Sequence, residues 1–195
     1  YGTPPAGNAN FAWLQHMVKS MNPKTGRCAV VLPQGVLFRS GKEGEIRKQL
    51  VESDKLEAII TMASGVFYST GVSACILFLN NNKAVSHRGR ICMIDGSSIY
   101  TPQRAQNIMT EADIQTVFDY YTTYEDVIEK VKIVTIADIR EKDYSLAINN
   151  YIEKKEQETV PPEEIRRQYF EAYDEMIEAE TRMRELLLKG GYISE

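Results

Sequence analysis

The apolar positions along the chain follow two periods. Phe11, Leu14, Val18 and Met21, with Gln15 on the same face, keep the three-to-four spacing of an amphipathic helix. Asn8 or Asn10 is placed to cap its start. Pro23-Lys24-Thr25-Gly26 predicts a turn. Cys28 to Leu32 (CAVVL) is then a short, continuously apolar run, the pattern of a strand buried on both faces. Ser40 followed by Glu43 predicts a capping box for a helix that turns Ile46, Leu50 and Val51 inward. Leu56 to Thr61 (LEAIIT) is the next strand, and a crossover of this length predicts a right-handed βαβ unit in a parallel sheet.

Past residue 70 the pattern changes. Val72 to Leu79 and Arg90 to Ile94 are strand-like, and the turn-like "NNNK" between them leaves no room for a helix. That predicts an antiparallel pair at the sheet edge. Glu111 to Tyr121 reads as a helix, Lys132 to Ile136 as a short strand, and "ADIREKDYSL" as a helical turn leading into an extended segment. Pro161 and Pro162 open a last helix that Gly190-Gly191 closes. Along it Ile165, Tyr169, Ala172, Met176, Ala179, Met183 and Leu186 are spaced alternately by four and three, a heptad seam. Three regions are expected: an α/β body over 1–98, a mixed extension over 99–158, and a helical segment over 159–191.

Composition sharpens this. The chain has 195 residues, 43% hydrophobic and 26% charged, the balance of one globular domain with an appendage. No apolar run reaches the roughly 18 to 20 residues of a membrane span, and no charged-then-apolar leader is seen. Cys28, Cys75 and Cys92 lie singly in strand-like runs, so reduced core thiols in a cytoplasmic protein are expected, not disulfides or zinc. His16 and His87 are too isolated to suggest a metal site. Between residues 153 and 189 there are eleven Asp and Glu against seven Lys and Arg, a difference of −4 that equals the net charge of the whole chain. The body is therefore near neutral and the last helix acidic. An acidic helix would be repelled by phosphates, so any DNA contact has to be local to the body or supplied by a partner.

The usual marks of a cofactor site are missing. There is no GxGxxG, no GxxxxGK[ST] and no acidic, Gly-rich turn after a strand. Gly41 and Gly44 flank a helix start without that context. No Ser-His-Asp or Cys-His set is visible. "TPPAGN" (Thr3 to Asn8) has the outline of an amino-methyltransferase catalytic loop. Thr3, however, stands where an Asn would bind the target amine, and Ala6 where an aromatic would stack on the base.

"YGTPPAGNANFAWLQHM", "VLPQGVLFRSGKEGEIRKQL" and "GVFYSTGVSACILFLN" together resemble the modification subunit of type I restriction-modification systems. The likeness is dense over residues 1 to about 82 and continues more loosely through "DIREKDYSLAINNYI". It implies a DNA adenine-N6 methyltransferase that uses S-adenosylmethionine. The chain is similar to the C-terminal part of such a subunit: the C-terminal half of a Rossmann-like sheet, parallel strands plus an antiparallel edge pair, followed by a helical extension. The family's cofactor turn and Asn-Pro-Pro-Phe loop would then precede Tyr1, and this chain alone is expected to be inactive.

By the same resemblance Phe67 matches the aromatic that stacks on a flipped-out adenine; otherwise it is a core residue at a strand entrance. Pro33, Gln34 and Gly35 leave the carboxyl end of a strand, where sites in open α/β sheets gather. They either shape the pocket or simply end the strand. Arg39 and Lys42 either reach a phosphate or sit in a solvated loop. The seam residues Ile165, Tyr169, Met176, Met183 and Leu186 either meet the specificity subunit or pack back onto their own domain. Implied partners are DNA and the specificity and restriction subunits. The rival reading is a non-enzymatic module that binds a specificity subunit.

Overall fold

The computed structural model describes every residue except 69, 105, 154–160, 194 and 195. The chain divides into two units, residues 1–154 and 155–195. The boundary expected at 158 falls outside the described residues.

The first unit is a five-stranded mixed sheet with helices on both faces. Its elements in chain order are α1 (Asn10–Ser20), β1 (Arg27–Pro33), α2 (Lys42–Glu52), β2 (Leu56–Met62), β3 (Ala74–Asn80), β4 (Arg90–Gly96), α3 (Glu111–Thr123), β5 (Val131–Thr135) and α4 (Ile136–Glu141). The strands lie in the order β1-β3-β2-β4-β5. β3 runs antiparallel to both β1 and β2, β4 is parallel to β2, and β5 is antiparallel to β4.

This α/β architecture is the expected class, but its neighbours differ from the sequence-based expectation. β1 and β2 point the same way as predicted, yet β3 is inserted between them. β3 and β4 do not pair; β2 separates them. Burial gives the reason, since all seven residues of β2 are buried. A strand so apolar is stable only in the middle of the sheet, with a partner on each edge and cover on each face.

One core packs α1, α2, α4 and the segment around Leu146, Ile148 and Ile152 against Leu32, Leu56, Ile59, Leu77 and Met93. The other packs α3 against Ala58, Ile60, Cys92 and Ile94. A bulge between Leu56 and Ala58 shifts the register of β2, which lets Leu56 and Ile59 share a face. β1 corrects a second expectation: Val30 and Leu32 are buried, but Val31 is 50% exposed on the other face. The α3 layer covers β2 and β4, so the edge strand is buried on one side only.

Helix starts also depart from the simple motifs. Ala9, not an asparagine, is the N-cap of α1; the Asn8 carboxamide instead accepts a hydrogen bond from the Asn10 N–H at 3.0 Å. Gly41, at φ +66°, caps α2, and the box foreseen from Ser40 and Glu43 does not form. A left-handed Gly41 turns the chain so that Ser40 no longer faces the first-turn amides. Glu43 is buried beside Arg39 at 3.6 Å. Capping boxes do form at Thr110 with Asp113 and at Thr135 with Asp138.

In the second unit, α5 (Pro162–Lys189) starts after Pro161 and ends at Gly190, as the sequence implies. None of its side chains is buried. Among the described residues no helix is long and apolar enough to cross a membrane.

Candidate functional site

The carboxyl ends of β1, β2 and β4 open on one end of the sheet, and the antiparallel β3 begins there. Pro33, the last residue of β1, pairs with Ala74, the first of β3. The chain then folds into a short 3₁₀ turn, Gln34–Leu37. The Gln34 N–H donates to the Ser73 carbonyl at 3.1 Å, and its side-chain amide reaches the Ala74 carbonyl at 3.4 Å. These bonds tie the strand exit of β1 to the loop running from β2 to β3, which carries Phe67.

The turn is held from below by Arg47 of α2. This buried guanidinium donates to the carbonyls of Tyr144 and Arg39, each at 2.7 Å, and of Val36 at 3.3 Å. Burial pushes it below its ordinary pKa, offset in part by Asp143 and Glu43. Gly35 lies under the Arg39 side chain, where an added Cβ would sit 2.6 Å from the guanidinium. Arg39 is thus folded over the turn and paired with Glu43.

Two cavities flank this exit. One, of about 280 Å³, is lined by Gln34, Phe38, Thr61, Ser73, Asp95 and Asn149. Asp95, 4% exposed, accepts hydrogen bonds from the Thr61 hydroxyl at 3.1 Å and the Ser97 N–H at 3.0 Å. Sequence reasoning passed over this acid, although the apolar strand "RICMI" ending in "DGSS" marks an acid at a strand's carboxyl end. The second cavity, of about 530 Å³, is walled by Phe67, Tyr68 and Thr70 on one side and by Gln103, Arg104 and Gln106 on the other. Phe67 is 36% exposed and Tyr68 84%. Gln34 and Phe67 therefore lie on loops bonded to one another but line different cavities.

The end of β4 at Asp95 and Gly96 does not suit a methyl donor such as S-adenosylmethionine. A Cβ on Gly96 would lie 2.6 Å from the Thr61 carbonyl, so the β2 and β4 backbones close on each other and leave no cradle. The Asp95 carboxylate is also committed to the turn. Among the described residues no group of His, Cys, Asp and Glu has the arrangement of a metal site.

At the opposite end of the sheet, buried Glu57 accepts hydrogen bonds from the Asn80 amide at 3.1 Å and the Tyr121 hydroxyl at 2.7 Å. His87 stacks on Tyr124 with ring centroids 3.6 Å apart and brings Nδ1 to 3.5 Å from Glu57. Burial, then Glu57, pushes the Tyr121 hydroxyl up to about 12. This network locks α3 to the start of β2 and is remote from the strand exits.

In α5, taken alone, Ile165, Tyr169, Met176, Met183 and Leu186 are all more than half exposed, and Tyr169 contacts Phe170 and Tyr173.

Comparison with known proteins fits this geometry. Residues 1–160 match the family described as N-6 DNA Methylase. The HindI type I restriction enzyme methylase subunit of Haemophilus influenzae is 37% identical over 166 residues, covering 81% of this chain and 37% of that protein. The MjaVII methylase subunit of Methanocaldococcus jannaschii is 34% identical over 187 residues, covering 90% of this chain and 32% of that protein. A type I methyltransferase subunit from Streptococcus thermophilus superposes with a TM-score of 0.73 at 32% identity, over 77% of this chain and 31% of that one. The chain thus spans about a third of the length of the curated relatives it matches. With its sheet, its strand exits and these likenesses together, the chain belongs to the N-6 DNA methylase family, alongside the methylase subunits of type I restriction-modification systems.

Proposed function

We propose that this chain forms the target-base side of a DNA adenine-N6 methyltransferase of the type I restriction-modification class. The intact protein transfers a methyl group from S-adenosylmethionine to adenine in DNA. The donor supplies the electrophilic methyl; no residue of this chain is assigned to holding it. One observation carries the reading: the Phe67 loop and the Pro33-Gln34-Gly35 turn are hydrogen-bonded together at the carboxyl end of the sheet, with Phe67 partly exposed there.

A base drawn out of the duplex loses its stacking, and an aromatic face restores part of it. Phe67 takes that role, while the turn of Pro33, Gln34 and Gly35 shapes the strand exit that anchors its loop. The backbone bond from Gln34 to Ser73 fixes that loop, so the base meets a preformed aromatic face.

The exposed seam of α5 fits a protein partner better than DNA, since the helix is rich in acids. Ile165, Tyr169, Met176, Met183 and Leu186 are proposed to meet the specificity subunit, which chooses the DNA site; the restriction subunit completes the assembly in the cytoplasm.

The test is radiolabelled methyl transfer. Phe67→Ala in the full-length enzyme is expected to weaken base engagement by about 1 to 3 kcal/mol if stacking dominates. This chain by itself is expected to show no transfer. Turnover by the isolated chain, or full activity of the Phe67 variant in the intact enzyme, overturns the reading. In the second case the chain would serve as an assembly module.

A further inference from the structure

The second wall of the Phe67 cavity comes from residues the methyl-transfer reading does not use, Gln103, Arg104, Gln106 and Asn107. They lie about forty residues away in sequence, and Asn107 docks them by two hydrogen bonds. The Asn107 N–H donates to the Gly65 carbonyl at 3.0 Å, and its side-chain amide donates to the Ser64 carbonyl at 2.8 Å. A bridge between Thr101 and Ile108 closes the base of this loop. The Phe67 loop is therefore half of a two-loop structure.

We infer that this second loop is a nucleotide-contacting element: Arg104 engages a phosphate beside the extruded base, and Gln103 and Gln106 hydrogen-bond the nucleotide opposite Phe67. The inference rests on the Phe67 reading. Three features of the cavity carry it. Its volume, about 530 Å³, lies within the range of small-ligand pockets. Its described lining joins two aromatic rings, amides and a guanidinium, and no acid. That is the combination a nucleotide requires: a face for stacking, amides for base edges, a cation for phosphate. Charge is the third: the Arg104 guanidinium is the one charged group in its described lining. In a body that is near neutral, an acid-free wall bearing an exposed arginine is locally cationic.

The experiment uses the full-length methyltransferase assembled with its specificity subunit. The probe is a duplex holding the system's own methylation site with 2-aminopurine at the target adenine. Binding is measured against salt, and base capture by fluorescence at saturation. Arg104→Ala is expected to bind about fivefold more weakly at roughly 0.15 M salt, the release of one counterion, and to lower the salt slope by about one. Arg104→Lys is expected to restore the slope. Paired replacement of Gln103 and Gln106 by Ala is expected to reduce capture without changing the slope. Wild-type affinity, slope and capture in all these variants, with capture lost in Phe67→Ala, overturns the inference and leaves the Phe67 reading standing. Wild-type capture in Phe67→Ala as well removes both. Arg104 is solvent-exposed, so its substitution should leave the fold intact, which circular dichroism verifies.

Discussion

Arg47→Met tests whether a buried cation sets the strand-exit turn. Arg47 is 4% exposed and its guanidinium serves three backbone carbonyls, two at 2.7 Å and one at 3.3 Å. Methionine fills much of the volume but donates nothing, so those carbonyls lose their partner in a dry setting. Each of the two short bonds, being charge-assisted, contributes about 1.5 to 2 kcal/mol net, and the long one little. The expected loss is about 3 to 4 kcal/mol, toward the upper end for single substitutions. With a urea slope of about 2 kcal/mol per molar, the unfolding midpoint by far-UV circular dichroism should fall by about 1.5 to 2 M. Arg47→Lys should recover about half, because one ammonium cannot span carbonyls on both the turn and the segment at Tyr144. A midpoint shift below about 0.5 M for Arg47→Met, at unchanged slope, would refute the argument and mean that water or relaxation satisfies those carbonyls.

Other outcomes follow from the same geometry. Glu52 receives the Arg140 guanidinium and the Tyr144 hydroxyl, hydrogen bonds that hold its carboxyl down to about 2 from an ordinary value of 4.5. Because the folded value is depressed, its contribution is complete above about pH 4.5 and is lost as pH falls toward 2. Glu52→Gln should flatten that part of the stability-pH profile, and an unchanged profile counts against the pairing. Tyr121→Phe removes a 2.7 Å bond to buried Glu57 and should cost about 1 to 2 kcal/mol in urea unfolding. Gly96→Ala forces a Cβ against the Thr61 carbonyl, a backbone atom that cannot swing away, and should cost about 2 kcal/mol. Burial raises the Cys75 and Cys92 thiols to about 12, so a thiol reagent at neutral pH should label them only on unfolding, after the less buried Cys28. Equal labelling rates for the three would contradict the packing.

Local sequence was enough to identify the elements, because their causes are local. Strands β2 and β4 show as apolar runs, α5 is bracketed by Pro161 and Gly190, and the core faces of α1 and α2 follow from the spacing of Phe11 with Leu14 and of Ile46 with Leu50. The likeness in the segments around Phe67 and Gln34 was also present in the sequence, since it depends on residue identity alone.

Strand order was decided elsewhere. Nothing between residues 80 and 90 says whether β4 returns beside β3 or crosses to β2. That choice depends on which edge of β2 needs covering, and so on the whole sheet. The same holds for single side chains: Arg47 looks like a surface residue of an amphipathic helix until Tyr144, 97 positions later, places a carbonyl over it. Asp95, Gln103, Arg104, Gln106 and Asn107 are polar loop residues by sequence. They become the walls of cavities only because a sheet brings distant loops to one end, a proximity that composition and periodicity do not encode.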